Sequence, residues 1–135
     1  MDKFVMIIFG ASGDLTKRKL MPALYSLYRD KRLKGEFSVI GVGRTVYSDT
    51  DYRAYIYTEL EQFVKPEEQD KELMDNFTQH LYYLAIDPAI EAGYVRLRQR
   101  IEELTGEKEP DNLLFYLATP PSLYGVIPLH LKKAH

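Results

Sequence analysis

Gly10 and Gly13 close an apolar run in the segment IIFGASGDLTKRKL, residues 7–20, and glycines between a buried strand and a helix start make a place where a chain can receive an anion. The first amides of a helix lack intrahelical partners and carry the positive end of its dipole, so a turn without side chains lets a phosphate reach them. The ligand this predicts is a dinucleotide pyrophosphate. The spacing is Gly-x-x-Gly where the NAD-type fingerprint has Gly-x-Gly-x-x-Gly, with Ser12 in the place of the second glycine and Thr16 in that of the third. No Gly-Lys-Ser/Thr closes the turn, so a P-loop is a poor rival. On these residues alone, a strand-to-helix turn with no ligand stands as an equal reading.

Arg44 is the second chemical signal. A ribose 2′-hydroxyl is usually held by an acid at the end of the second strand of such a fold, whereas a 2′-phosphate repels an acid and attracts arginine. Here the second apolar run ends Val42-Gly43-Arg44-Thr45, with no acid before Asp49. The planar guanidinium of Arg44 suits a phosphate and can stack on adenine. Coupled to the glycine turn, Arg44 favours NADP over NAD; taken singly, it reads as a solvated loop cation.

These residues need a scaffold, and the rest of the sequence supplies one. The chain has 135 residues, 45% hydrophobic and 28% charged, which suits one soluble domain able to bury roughly two-thirds of its unfolded surface. A formal net charge of −2 gives no reason to expect nucleic acid. The absence of cysteine excludes disulfides and thiolate catalysis, and His80, His130 and His135 show no metal-ligand spacing. No apolar run approaches the roughly 20 residues that span a bilayer, and the N-terminus enters a strand without a signal-peptide pattern. A cytoplasmic protein, with no membrane or metal partner, is the expectation.

Four apolar strands are predicted, at 4–9, 38–43, 80–86 and 113–118. The first is followed by a helix over 14–31, with Leu20, Leu24, Leu27 and Lys31 along one face and Lys34-Gly35 as its stop. Ser48 or Asp49 caps a second helix carrying Tyr52, Ile56, Leu60 and Phe63. Pro66 begins a short, mostly polar helical piece expected at the surface. Asp87-Pro88 starts another helix through Ile90, Tyr94, Leu97, Ile101 and Leu104, and Thr119-Pro120-Pro121 leads into a last one through Leu123, Ile127 and Leu131. Strands alternating with helices argue for a doubly wound parallel sheet of the α/β class, in the order 3-2-1-4, with ligand at the carboxyl ends of the strands. A complete dinucleotide fold has further strands, so residues 1–135 read as one nucleotide-binding domain truncated after its fourth strand.

FGASGDLTKRKLMPALYSLY, IGVGRT and FYLATPPSLY together resemble the N-terminal coenzyme domain of the glucose-6-phosphate dehydrogenase family. The resemblance runs from Phe4 to the C-terminus, and its most specific part is Gly-Ala-Ser-Gly-Asp-Leu followed by a basic triplet and Leu-x-Pro-Ala-Leu. It implies a Rossmann-like, NADP-binding domain of an enzyme that oxidises glucose 6-phosphate at C1 to 6-phosphogluconolactone, in the pentose phosphate pathway of glucose metabolism. A homo-oligomer is expected on other grounds: truncation leaves strand four with unpaired backbone groups and an uncovered apolar face, through which the chain should self-associate. Carried over position by position, Gly10, Ala11, Ser12, Gly13, Asp14, Leu15, Thr16 and Lys17 wrap the pyrophosphate and Arg44 holds the 2′-phosphate. Asp87 falls near the adenosine, where a helix-capping role before Pro88 explains it equally well. Ala118, Thr119 and Pro120 pass under the nicotinamide ribose with Tyr124 beside it, and Tyr124 reads equally as a half-buried helix aromatic. Lys19 points toward substrate and nicotinamide, although in Lys17-Arg18-Lys19 it also reads as one of three solvated charges.

No catalytic residue is expected within the chain. Abstracting a sugar hydroxyl proton as hydride leaves calls for a histidine oriented by a carboxylate, and the resemblance places that dyad beyond position 135. The polypeptide alone is therefore expected to bind nucleotide without turning over sugar. Two rivals stand beside this reading: another NADP-dependent reductase, which would show a Tyr-x-x-x-Lys in a suitable context, and a stand-alone module that senses NADP(H).

Overall fold

The computed structural model of the chain describes residues 3–11, 13, 16–31, 36–87, 91–106 and 113–117. Its centre is β1 (Lys3–Phe9), flanked by β2 (Glu36–Gly43) and β4 (Leu113–Leu117), with β3 (Leu81–Ala85) outside β2. All three pairings are parallel and the order is β3-β2-β1-β4, as the alternation of strands and helices predicts. Ile7 lies opposite Ile40 on one side and Phe115 on the other.

An unbroken apolar run such as residues 5–9 fits only a strand covered on both faces. Val5, Ile7 and Phe9 join Ile40, Val42, Tyr94, Leu97 and Ile101 in one buried cluster, beneath α4 (Glu91–Thr105). Met6 and Ile8 point the other way, into a larger cluster with Val39, Leu81 and Tyr83. Three helices cover that second face: α1 (Met21–Arg29), α2 (Asp49–Phe63) and α3 (Lys71–Thr78).

Three elements differ from the sequence expectation. The first helical run opens with one wide π-helical turn, Thr16–Leu20, before α1 begins. Pro22 supplies the reason: it has no N–H to return to the carbonyl of Arg18, and its ring crowds that carbonyl, so the preceding turn widens. The buried face of α1 is Met21, Leu24 and Tyr25, whereas Leu27 is exposed and Lys31 stands past the helix end at φ 60°. The expected stop at Lys34-Gly35 lies outside the described residues. β2 starts at Glu36, two residues early. Finally, α3 is not a surface piece, because Met74, Phe77 and Thr78 are buried and Asp70 caps its start by accepting the amide of Leu73 at 3.2 Å. Its polar composition hides an apolar pair at i, i+3. The helix expected after Thr119 and residues 88–90 of the Asp87-Pro88 start lie outside the described residues.

Ser48, not Asp49, caps α2, accepting the amide of Asp51 at 3.0 Å. Asp49 instead reaches the outer edge of β3, where Oδ1 accepts the amide of Tyr83 at 2.8 Å and Oδ2 meets Arg100 at 2.9 Å. On the same edge Arg53 donates to the carbonyl of Leu81 at 2.8 Å, and Arg96 donates to that of Ala85 at 3.2 Å. Side chains from α2 and α4 thus satisfy backbone groups that a neighbouring strand would otherwise pair.

Tyrosines carry much of the core. Tyr25, Tyr52 and Tyr94 are almost fully buried. Burial, then the negative charge of Asp87, pushes the Tyr94 phenol up to about 12, and burial raises Tyr52 well above the ordinary 10.0. In the unfolded chain these phenols ionise near 10, so between pH 10 and about 12 the unfolded state releases protons that the folded state keeps. Stability from this source is therefore complete below pH 10 and falls as pH rises through that window. Following phenolate absorbance and circular dichroism together should show some of the eleven tyrosines ionising only as the fold is lost. All eleven titrating near 10 with the fold intact would contradict it.

Candidate functional site

The carboxyl ends of β1, β2 and β3 converge on one rim of the sheet. β1 is followed by Gly10, whose φ of 86° favours a residue without Cβ, and the chain turns there. The amides of Gly10 and Ala11 both donate to the carbonyl of Val42 at 2.9 and 3.1 Å, tying the turn to the end of β2. Gly13 returns its amide to the carbonyl of Gly10 at 3.0 Å, and a Cβ at Gly13 would stand 3.3 Å from that oxygen. Thr16, at the place of the third glycine, is fully buried, and its hydroxyl donates to the same Gly10 carbonyl at 2.9 Å. Lys17 donates its amide to the carbonyl of Gly13 at 3.2 Å.

The amides of Gly10, Ala11, Gly13 and Lys17 are therefore spent on the turn's own shape. These residues build the frame of the turn itself. Ser12, Asp14 and Leu15 lie outside the described residues. The basic triplet divides: Arg18 lies over the ring of Phe63 at 5.3 Å and is exposed, Lys17 is half-buried, and Lys19 is exposed.

Arg44 follows β2, and Asp87 follows β3 two residues after its end. Because β2 and β3 are paired with Gly43 beside Ala85, their tips are level and the two side chains meet, Nη2 of Arg44 lying 3.4 Å from Oδ1 of Asp87. The pair borders a hollow of about 280 Å³ lined also by Val46, Ala85 and Ile86. Arg44 is 67% exposed and Val46 is 83% exposed. An exposed guanidinium beside an apolar side chain at the mouth of a hollow can meet an anionic group and an apolar one side by side. Ala118, Thr119, Pro120 and Tyr124 lie outside the described residues, as do His130 and His135. His80 is structural: its ring stacks on Phe37 at 4.0 Å, and Nδ1 lies 2.9 Å from the Phe37 carbonyl.

Two residues that position this rim escape a periodicity reading. Tyr52, which registers in sequence only as an apolar helix position, donates its hydroxyl to the carbonyl of Ala11 at 3.0 Å. Gly41 lies in the middle of β2, where a Cβ would come 2.7 Å from the Cβ of Ala11 and 3.0 Å from the Tyr52 hydroxyl. A glycine inside a strand signals such a close approach, and a buried tyrosine signals a hydroxyl partner. Among the described residues, no group of three or more His, Cys, Asp or Glu side chains could hold a metal, and no helix is long and apolar enough to cross a membrane.

Comparison with known proteins agrees with this geometry. The chain is 48% identical over 124 residues to glucose-6-phosphate 1-dehydrogenase of Aggregatibacter actinomycetemcomitans, covering 91% of this chain and 24% of that protein. It is 38% identical over 132 residues to the Bacillus subtilis enzyme of the same name, covering 97% and 26%. A solved structure of glucose-6-phosphate dehydrogenase in complex with its substrate glucose-6-phosphate superposes with a TM-score of 0.86 at 36% identity, over 98% of this chain and 28% of that one. The enzyme from Mycobacterium avium gives 0.83 at 27% identity, over 97% and 27%. The chain thus spans about a quarter of the length of the relatives it matches. A profile of the family described as glucose-6-phosphate dehydrogenase, NAD binding domain, matches residues 7–135, and the chain belongs to that family.

Proposed function

We propose that this chain binds NADP as the coenzyme domain of a glucose-6-phosphate dehydrogenase, in which C1 of glucose 6-phosphate gives hydride to the nicotinamide. The observation that carries the cofactor assignment is Arg44, exposed at the end of β2, where no acid precedes it, on the lip of the 280 Å³ hollow. Its guanidinium would hold the 2′-phosphate while the frame of Gly10, Ala11, Gly13 and Thr16 presents the diphosphate site. Asp87 holds the cation in place before the nucleotide arrives, and a 2′-phosphate would take over as its anionic partner. When bound, NADP supplies the hydride acceptor, and the residues described here bind and orient it. Lys19, exposed on the helical run after the turn, would face the sugar side, and Ala118, Thr119, Pro120 and Tyr124 the nicotinamide ribose. A homo-oligomer working in the cytoplasm completes this reading.

Titrating NADP and NAD into the wild-type chain and Arg44→Ala by calorimetry tests the assignment. Wild type is expected to prefer NADP, and Arg44→Ala to lose about 1–3 kcal/mol of that preference with NAD binding little changed. Equal wild-type affinities for the two nucleotides would overturn the role of Arg44.

A further inference from the structure

We propose that Tyr52 is a positioning residue for the nucleotide, its buried hydroxyl holding the glycine turn in the shape that receives the diphosphate. This inference rests on the reading of that turn as the diphosphate site. Ala11 is held at both ends: its amide donates to Val42 on β2 at 3.1 Å, and its carbonyl accepts from Tyr52 on α2 at 3.0 Å. With its amide and its carbonyl both bonded, Ala11 ties the turn after β1 to β2 and to α2 at a single residue.

Several features fit a hydroxyl kept for this purpose. Tyr52 has no accessible surface, yet its hydroxyl is used across 41 residues of sequence rather than within its own helix. Gly41 leaves out a Cβ that would stand 3.0 Å from the hydroxyl and 2.7 Å from the Ala11 Cβ. Burial raises the phenol well above its ordinary value, so it remains a donor throughout the neutral range. The ring is also clasped by other tyrosines, with Tyr83 at 4.7 Å and Tyr47 at 5.9 Å between centroids. Tyr83 in turn donates its hydroxyl to the carbonyl of Thr45, next to Arg44. One aromatic cluster therefore braces both the turn for the diphosphate and the loop that carries the 2′-phosphate cation.

Calorimetric titration of NADP and of adenosine 2′-monophosphate, which lacks the diphosphate, separates positioning from folding. Tyr52→Phe is expected to bind NADP about tenfold more weakly and adenosine 2′-monophosphate within about twofold of wild type. Tyr25→Phe is the control: it removes a hydroxyl bond of the same kind, to the carbonyl of Glu68 at 2.9 Å, and should change neither affinity. Should Tyr52→Phe not fold, Gly41→Ala crowds the Ala11 Cβ and the Tyr52 hydroxyl together, parting the two without deleting either, and should show the same selective loss. Unchanged NADP affinity in Tyr52→Phe overturns the inference, as does an equal loss for both ligands. A wild-type chain that binds NADP no more tightly than adenosine 2′-monophosphate overturns the diphosphate site itself, a result distinct from failure of the variant.

Discussion

Replacing Phe77 with alanine is expected to cost the chain about 3–5 kcal/mol, a large share of the roughly 5–15 kcal/mol that holds a typical domain together. Phe77 is fully buried, with ring centroids 5.9 Å from Tyr25 and 5.7 Å from Tyr28. It is the main apolar anchor of α3, whose eight residues are too few to remain helical without tertiary support. The two facing aromatics belong to α1, which itself begins only after a widened turn. Removing the ring therefore leaves a cavity between two short helices, each of which relies on the other. Urea unfolding followed by circular dichroism measures the loss. A change below about 1 kcal/mol would mean that neighbouring side chains refill the space.

Gly41→Val is expected to destabilise by about 3 kcal/mol, at the upper end of what overpacking costs. The nearest obstacle is the Cβ of Ala11 at 2.7 Å, an atom fixed to its backbone that no rotamer change can withdraw. Relief requires moving either β2, which is bonded on both sides, or the turn after β1. The turn is the softer of the two, so the variant should also bind NADP more weakly, in proportion to the displacement of Ala11. Denaturant midpoints and NADP titration on the same preparation check both effects. Wild-type stability would show that the turn is slack and that the glycine has no steric purpose.

The strand order was legible because residues 5–9 are apolar without alternation, which only a doubly covered strand tolerates, and because each crossover is long enough to return in parallel. The widened first turn of the first helix and its true buried face leave no mark on periodicity, which counts Leu20 and Leu27 as equals of Leu24 and is blind to a missing N–H at Pro22. The burial of α3 is hidden for a similar reason: three apolar side chains among eight residues look like a surface helix until a partner surface faces them. Arg44 and Asp87 were each legible singly. Their meeting depends on β2 and β3 being adjacent with level tips, a consequence of the predicted order that neither local stretch displays. Least legible was Tyr52, since a hydroxyl that reaches 41 residues back along the chain leaves no periodic trace.

The flank of β3 has an outcome of its own. A bare strand margin is a template on which another polypeptide can lay down a matching strand, the opening step of fibril growth and of exchange between identical molecules. Here Arg53, Asp49 and Arg96 already occupy the backbone positions such an intruder would need. Recruitment from that direction would have to evict a carboxylate and two guanidinium groups first, so growth of the sheet past β3 is blocked before it begins.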